Sequence, residues 1–257
     1  MSRYALVNIV FALLILAAIG LGQIGHFPGW GYVVLGVLYA AICAYGASVM
    51  SFQFFMPARC RGPEDARAIA VTFDDGPVAD KTDRLLDLLK QHQVSAAFFC
   101  IGNRVKKNMP LVQRTHAEGH LVGNHSYWHG TLFDLLPAGR VERELADTDK
   151  AIHTAIGLTP RLFRPPYGVT NPMIARVMKR RQYTAVGWSV RSFDTVTEER
   201  AKLLHRVTQS LKGGDVVLFH DHCESTLEIL PAFFEHVGKL GLKIVRIDEL
   251  IGEKAYR

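Results

Sequence analysis

Between Arg3 and Arg59 the chain contains no lysine, arginine, aspartate or glutamate. That absence excludes a solvated surface for the first fifth of the protein, because soluble domains scatter charge over every exposed face. Cysteine is also scarce. Cys43, Cys60, Cys100 and Cys223 are isolated, with no Cys-x-x-Cys spacing, which argues against a disulfide framework and a thiolate metal site alike. Basic residues do not interleave with aromatic ones, so nucleic acid is not an expected partner, although the formal charge is +6. Lys106-Lys107 and Lys179-Arg180-Arg181 suit anionic lipid headgroups or an anionic glycan, but read first as solvated helix faces.

Two uncharged runs fill the gap. Tyr4 to Gly22 is almost wholly apolar, with Asn8 the one strong exception, and Trp30 to Met50 is a second run of similar length. Each is long enough to cross about 30 Å of hydrocarbon as a helix. Gly25-His26-Phe27-Pro28-Gly29 punctuates between them as a tight turn would, and Trp30 and Tyr32 suit the interface. A cleaved signal peptide fits the first run less well, because no small-x-small cleavage site follows it and a second spanning run does. We read residues 1–52 as a two-helix transmembrane hairpin (about 4–25 and 30–50), residues 53–66 as a linker, and residues 67–257 as the folded domain. The expected location is the cell membrane, multi-pass, with membrane lipid as a partner. A hairpin returns the domain to the side of the N-terminus, and Arg3, Arg59, Arg61 and Arg67 favour cytoplasmic flanks. A wall polymer would need the other face, so the side is left open.

From residue 67 short apolar runs alternate with amphipathic ones. Strands are expected at Ile69–Phe73, Ala96–Ile101, His120–Asn124, Leu162–Phe163, Ala185–Val190, Val216–His220 and Leu242–Ile247. Helices are expected after Asp80 and over Val105–Glu118, Ala138–Ile156, Pro172–Arg181, Glu198–Leu211 and Thr226–Leu240. Seven strands alternating with helices argue for a parallel sheet closed, or nearly closed, into an α/β barrel.

The chemistry-bearing residues gather at strand ends. Thr72-Phe73-Asp74-Asp75-Gly76-Pro77 puts two adjacent carboxylates between an apolar strand and a breaker, where one can bind a metal and the other move a proton. In His125-Ser126-Tyr127-Trp128-His129 the imidazoles lie four apart and share a face if the segment is helical. Two histidines and one carboxylate leave a fourth position for water, as in hydrolytic zinc sites. Arg164-Pro165-Pro166-Tyr167-Gly168 is a rigid turn carrying a cation and a ring, and Val216-Val217-Leu218-Phe219-His220-Asp221 delivers a histidine at a strand end.

In this order and spacing the four blocks resemble the NodB-homology polysaccharide deacetylases, carbohydrate esterase family four, over roughly residues 67–250. The resemblance implies a distorted seven-stranded (β/α) barrel. It implies Asp75, His125 and His129 as metal ligands, for Zn2+ or another divalent ion such as Co2+, and Asp74 as general base with Arg164 paired to it. The backbone N–H of Tyr167 would stabilise an oxyanion, His220 would protonate the leaving amine, and Leu218 would line the acetyl pocket. One block departs from the family pattern. Where members usually show Asp-x-x-Asp-Trp, this chain has Arg191-Ser192-Phe193-Asp194-Thr195, so Arg191 replaces an acid and Thr195 a tryptophan. Asp194 remains to support His220, and Trp188 offers replacement aromatic surface. His222 and His205 are read as surface groups. The implied activity is metal-dependent N-deacetylation of an N-acetylated glycan, peptidoglycan or a related N-acetylglucosamine polymer. A lipid-linked saccharide, or glycan binding without catalysis, are the alternatives.

Overall fold

A computed structural model describes residues 2–197 and 199–257. Two long helices open the chain, α1 (Arg3–Gln23) and α2 (Gly29–Ser48). They pack side by side, and both are long and apolar enough to cross a membrane. Many leucine, isoleucine and valine side chains along both are exposed. Asn8, the polar exception in the first run, is accounted for within the pair: Tyr39 donates to its Oδ1 at 2.8 Å. Tyr32 likewise donates to the Ala18 carbonyl at 3.0 Å.

The remaining chain alternates strand and helix. Its first half runs β1 (Ala68–Asp74), α3 (Lys81–Gln91), β2 (Ala97–Cys100), α4 (Gly102–Lys107), α5 (Met109–Ala117), β3 (Leu121–Asn124) and α6 (Ala138–Ile156). The second half runs β4 (Leu162–Phe163), α7 (Pro172–Arg180), β5 (Thr184–Ala185), β6 (Val190–Arg191), α8 (Arg200–Thr208), β7 (Val216–His220), α9 (Glu224–Lys239), β8 (Lys243–Ile244) and α10 (Ile247–Ile251). The first residue of the expected Glu198–Leu211 helix lies outside the described residues. Seven strands form one parallel run in the order β5-β4-β3-β2-β1-β7-β6, and β8 joins the start of β1. The sheet curls into a partial barrel with helices outside.

The strand expected at Leu242–Ile247 is confined to Lys243–Ile244, and Ile247 opens α10. Two other elements differ from the sequence expectation for local reasons. Val105–Glu118 is two helices, because Pro110 cannot continue a ladder from the preceding turn and instead occupies the first turn of α5. Ala185–Val190 is not one strand. Ala185 pairs with Phe163 and Val190 with Val217, so the four residues between them span the seam between the two edges of the sheet.

The segment read as a linker packs into the protein. Phe54, Met56, Ala58 and Cys60 are buried while Gln53, Pro57 and Arg59 are exposed, the period-two pattern of an extended chain on a core. Arg59 forms a parallel bridge to Val186, and Arg61 reaches the fully buried Asp215 at 2.8 Å. This segment therefore lies along the seam.

Alternation in β1 sets the two cores. Ile69, Val71 and Phe73 face outward into a cluster with Leu85, Leu86, Leu230 and Phe233 of the helices. Ala70 faces inward, with Phe99, Leu121 and Val216. Asp74 shares the parity of Ala70, so the same pleat turns it toward the barrel interior.

Candidate active site

Register brings the expected site residues to one level. Asp74 pairs with both Phe99 and His220, while Asn124 pairs with Cys100 and Phe163. His125 and Arg164 therefore leave neighbouring strands side by side, next to the carboxylates at the end of β1. This is the C-terminal end of a parallel sheet, where barrel sites are built. A cleft of about 170 Å3 opens there, lined by Asp74, Asp75, His125, His129, Tyr167, Gly168, Trp188, Arg191, Thr195, Leu218 and His220.

The Asp-Asp pair is divided by backbone conformation. Asp74 ends the strand, whereas Asp75 has φ 77°, a left-handed conformation that swings its carboxylate away from its neighbour's. Asp74 belongs to Arg164. The guanidinium is fully buried, donates to Asp74 Oδ1 at 2.6 Å and Thr72 Oγ1 at 2.9 Å, and donates to the carbonyls of Val186 at 3.1 Å and Gly187 at 2.9 Å. It also lies over the Phe99 ring at 4.2 Å. Burial lowers the arginine's proton affinity, and the Asp74 charge opposes that loss.

Asp75 faces the two histidines. Its Oδ1 is 3.5 Å from His125 Nε2 and 3.4 Å from His129 Nε2, and it is buried without a hydrogen-bond partner. Tetrahedral zinc with ligands at about 2.1 Å requires ligand atoms about 3.4 Å apart, so the orphaned oxygen and both nitrogens suit one shared divalent ion. His125 Nδ1 meets the Arg164 carbonyl at 2.7 Å; a carbonyl can only accept, so Nδ1 carries the proton and Nε2 is left as a ligand. Burial and the histidines' proximity act on the whole set. Burial raises the proton affinity of Asp75, but the close approach of His125 and the charges of the nearby histidines bring it well below the usual carboxylate range. His129 is pushed down to about 4 by burial and by His125. Burial lowers His125, yet Asp74 and Asp75 raise it overall. Asp75 is thereby held ionised and His129 neutral, the forms in which a carboxylate and an imidazole bind a metal.

The histidine segment is a loop, not the helix that would have put both rings on one face. Ser126 and His129 adopt φ 62° and φ 51°. Asn124 Oδ1 accepts from Ser126 N–H at 3.0 Å, and Ser126 Oγ accepts from His129 N–H at 3.1 Å. Glu144 of α6 accepts from the N–H groups of Tyr127 and Trp128 at 3.0 and 2.9 Å. Side chains thus replace helical hydrogen bonds and hold a backbone that would otherwise be strained.

His220, at the end of β7, is held by Asp194. Its N–H donates to Asp194 Oδ2 at 2.7 Å and its Nδ1 meets Oδ1 at 2.7 Å, while Thr226 also donates to Oδ2 at 2.6 Å. Burial lowers the proton affinity of His220, but the Asp194 hydrogen bond and charge raise it overall. Burial raises Asp194, and the same partner brings it below its ordinary value. Tyr167 has φ 58° in the turn after Pro166, with its ring edge-on to His129 at 4.8 Å. Gly168 must be glycine: at φ 71°, an added Cβ would stand 2.3 Å from the Trp188 ring. Leu218 is buried on the inner face of β7 and Trp188 is half-buried in the seam; both line the cleft. The departing motif also lies here. The Arg191 guanidinium rests over Trp188 at 5.4 Å and Phe193 at 4.7 Å, and Thr195 is exposed at the rim.

The structure corrects one expectation. His222 is not a surface group: it is half-buried, with Nδ1 4.0 Å from Asp75 Oδ2 and its ring 5.7 Å from that of His220. Its position two residues beyond a strand-end histidine was the available signal, since alternate residues share a face. His205 is exposed in α8, as read. Asp221, between the histidines, is buried, pushed up to about 7 by burial, and accepts from Thr82 at 2.7 Å. Its carboxylate occupies the space where a side chain on residue 76 would begin, which explains Gly76.

The chain is similar to known proteins in both sequence and fold. A family model described as polysaccharide deacetylase matches residues 61–186. The chain is 35% identical over 205 residues to the peptidoglycan-N-acetylglucosamine deacetylase PgdA of Listeria monocytogenes, covering 78% of this chain and 43% of that protein. It thus spans under half the length of that relative. It is 33% identical to a peptidoglycan-N-acetylglucosamine deacetylase of Bacillus cereus, covering 75% of this chain and 92% of the relative. A crystal structure of the Bc1960 peptidoglycan N-acetylglucosamine deacetylase superposes with a TM-score of 0.74 at 27% identity, over 77% of this chain and 94% of that one.

Proposed function

Because the chain belongs to the polysaccharide deacetylase family, we propose that it is a membrane-anchored, metal-dependent hydrolase that removes acetyl groups from N-acetylated amino sugars of a glycan. The leading substrate is peptidoglycan or a related N-acetylglucosamine polymer, in keeping with the names of the relatives. The observation that carries the reading is the pair of neighbouring carboxylates with separate partners: Asp75 against two imidazoles, Asp74 against a buried arginine.

Asp75, His125 and His129 would hold the ion. Zn2+ suits one oxygen and two nitrogens, with Co2+ able to substitute. When bound, such an ion supplies Lewis-acid polarisation of an amide carbonyl and acidifies water. The chain's own groups do the rest. Asp74, oriented by Arg164, accepts the proton of the attacking water. The Tyr167 N–H donates to the oxyanion that develops on the acetyl oxygen. Leu218 and Trp188 bound the space for the acetyl methyl and the sugar. His220, oriented by Asp194, delivers a proton to the departing amine, leaving acetate and a free amino sugar.

A second substrate, a saccharide linked to lipid, is favoured by one contact. Thr170, two residues beyond Gly168 of the cleft, donates its N–H to the Ala47 carbonyl in the last turn of α2 at 2.9 Å. The cleft loop is thereby tied to the base of the hairpin.

The test is acetate release by the detergent-purified full chain, loaded with zinc, from N-acetylglucosamine oligomers, peptidoglycan and a lipid-linked N-acetylglucosamine, beside Asp75→Ala. Metal-dependent release that the variant loses supports the deacetylase, and the ranking of the three identifies the substrate. Metal binding without release from any of them would overturn it in favour of glycan binding without catalysis.

A further inference from the structure

A cavity of about 730 Å3 lies away from the catalytic cleft, where the hairpin meets the barrel. Ser2, Tyr4, Phe55 and Met56 line it from the hairpin side, and Arg161, Arg176 and Lys179 from the barrel side. No carboxylate lines it, and among the described residues none of these three cations enters an ion pair. Arg176 and Lys179 stand three apart on α7, hence on one helix face. Arg161 Nε is buried without a hydrogen-bond partner. Like charges gathered without a counterion repel, and a buried unpaired donor costs stability. An anion bound in the cavity relieves the repulsion.

Position identifies the anion. Residues 2–4 and 50–55 meet at the foot of the hairpin: Tyr4 N–H donates to the Phe54 carbonyl at 3.1 Å, Arg3 Nη1 donates to the Phe52 carbonyl at 2.6 Å, and the Tyr4 ring lies 4.9 Å from that of Phe55. If α1 and α2 are embedded, this is the level of the lipid headgroups, where aromatic rings and basic residues concentrate. We propose that the cavity binds the phosphate headgroup of one anionic phospholipid, with Arg161, Arg176 and Lys179 around the phosphate and Tyr4 and Phe55 against the start of the acyl chains. The bound lipid fixes the barrel to the bilayer surface. The proposal rests on the hairpin being embedded.

The test uses the full chain in phosphatidylcholine vesicles, with and without a minor fraction of phosphatidylglycerol. Vesicle flotation reports insertion; lipid retained by the detergent-extracted protein, read by native mass spectrometry and by titration with short-chain phosphatidylglycerol, reports the site. Wild type should retain one phosphatidylglycerol in preference to phosphatidylcholine, and inorganic phosphate should not displace it. Arg161→Gln/Arg176→Gln/Lys179→Gln should weaken this by about a hundredfold, at about fivefold per charge. Lys90→Gln/Lys106→Gln/Lys107→Gln, which removes equal charge elsewhere, should bind as wild type. The exposed single change Arg176→Glu tests the site without disturbing a buried group. Equal binding by wild type, the triple variant and Arg176→Glu would overturn the proposal, as would equal retention of phosphatidylcholine or displacement by phosphate. Failure to float even with phosphatidylcholine would remove the membrane reading and this proposal together, whereas flotation without phosphatidylglycerol preference removes the proposal alone.

Discussion

Asp194 holds His220 at two points, its Oδ2 on the backbone N–H and its Oδ1 on the ring Nδ1, each at 2.7 Å. The carboxylate thus fixes both where the imidazole starts and how it is turned. With Nδ1 engaged, Nε2 is the nitrogen left for the cleft. An oriented imidazole whose proton affinity is raised suits a proton donor.

Asp194→Asn should lower turnover by about a hundredfold, the low end of what a placed proton donor contributes. Removing the carboxylate removes what raises His220, so the alkaline limb of the activity profile should move to lower pH. Stability follows from the two shifts. His220, raised when folded, contributes stability that is full below its unfolded value of about 6.5 and is lost as pH rises through the folded one. Asp194, depressed when folded, contributes stability present above about 3.9 and lost as pH falls through its folded value. The variant should therefore lose most stability between about pH 4 and 6.5. Activity profiles and denaturation across that range check both, and an unmoved alkaline limb would remove Asp194 from the proton-transfer role.

Arg164→Gln should destabilise by about 3–5 kcal/mol, because it leaves Asp74 buried without its cation. Asp74→Asn added to it should restore much of that stability by removing the uncompensated charge, while activity stays lost. Arg164→Lys should keep the charge but not the four-way contact with Thr72, Asp74, Val186 and Gly187. Chemical denaturation of the three variants beside wild type separates fold from function.

Much of this site was legible because its residues are local to strand ends. Asp74-Asp75, Arg164 and His220 each follow an apolar run, and a parallel sheet collects such ends at one face. The barrel class followed from the alternation of runs. What was not legible depends on long-range pairing or on side chains replacing backbone bonds. Nothing local says that β1 sits between β2 and β7, yet that order makes Asp74 and His220 neighbours. The helix suggested by His125 and His129 gives way because Asn124, Ser126 and Glu144 satisfy a loop instead. Phe54, Met56, Ala58 and Cys60 did alternate in the sequence, but Pro57, Gly62 and Pro63 made the stretch read as a linker.

Chelation should abolish turnover and lower the unfolding temperature, since an ion that binds only the folded chain stabilises it by about 2.7 kcal/mol at a hundredfold excess over Kd. Asp75→Ala should remove this ion-dependent stabilisation. Metal affinity should fall with pH, because a proton on His125, favoured by Asp74 and Asp75, competes with the ion. Thermal shift with and without zinc, across pH, measures this independently of any substrate. Equal shifts in wild type and Asp75→Ala would place the ion elsewhere.

The packed segment before β1 sets where the catalytic domain can be cut. Met56 is buried in one cluster with Phe163, Ile174, Val177 and Tyr183, so Met56→Ala should cost about 2–5 kcal/mol. A fragment 67–257 loses Met56 together with Ala58, Cys60, the Arg59 bridge to Val186 and the Arg61 pair with the buried Asp215. Against a total stability of about 5–15 kcal/mol, those losses should leave it unfolded or molten. A fragment 51–257 keeps all of these contacts and should unfold cooperatively. The seam residues 186–188 carry Trp188 and the two carbonyls that hold Arg164, so the shorter fragment should lose the site before it loses its helices. Near- and far-ultraviolet circular dichroism of the two fragments distinguishes these outcomes; a cooperative, metal-binding 67–257 fragment would show that the segment only lies on the barrel.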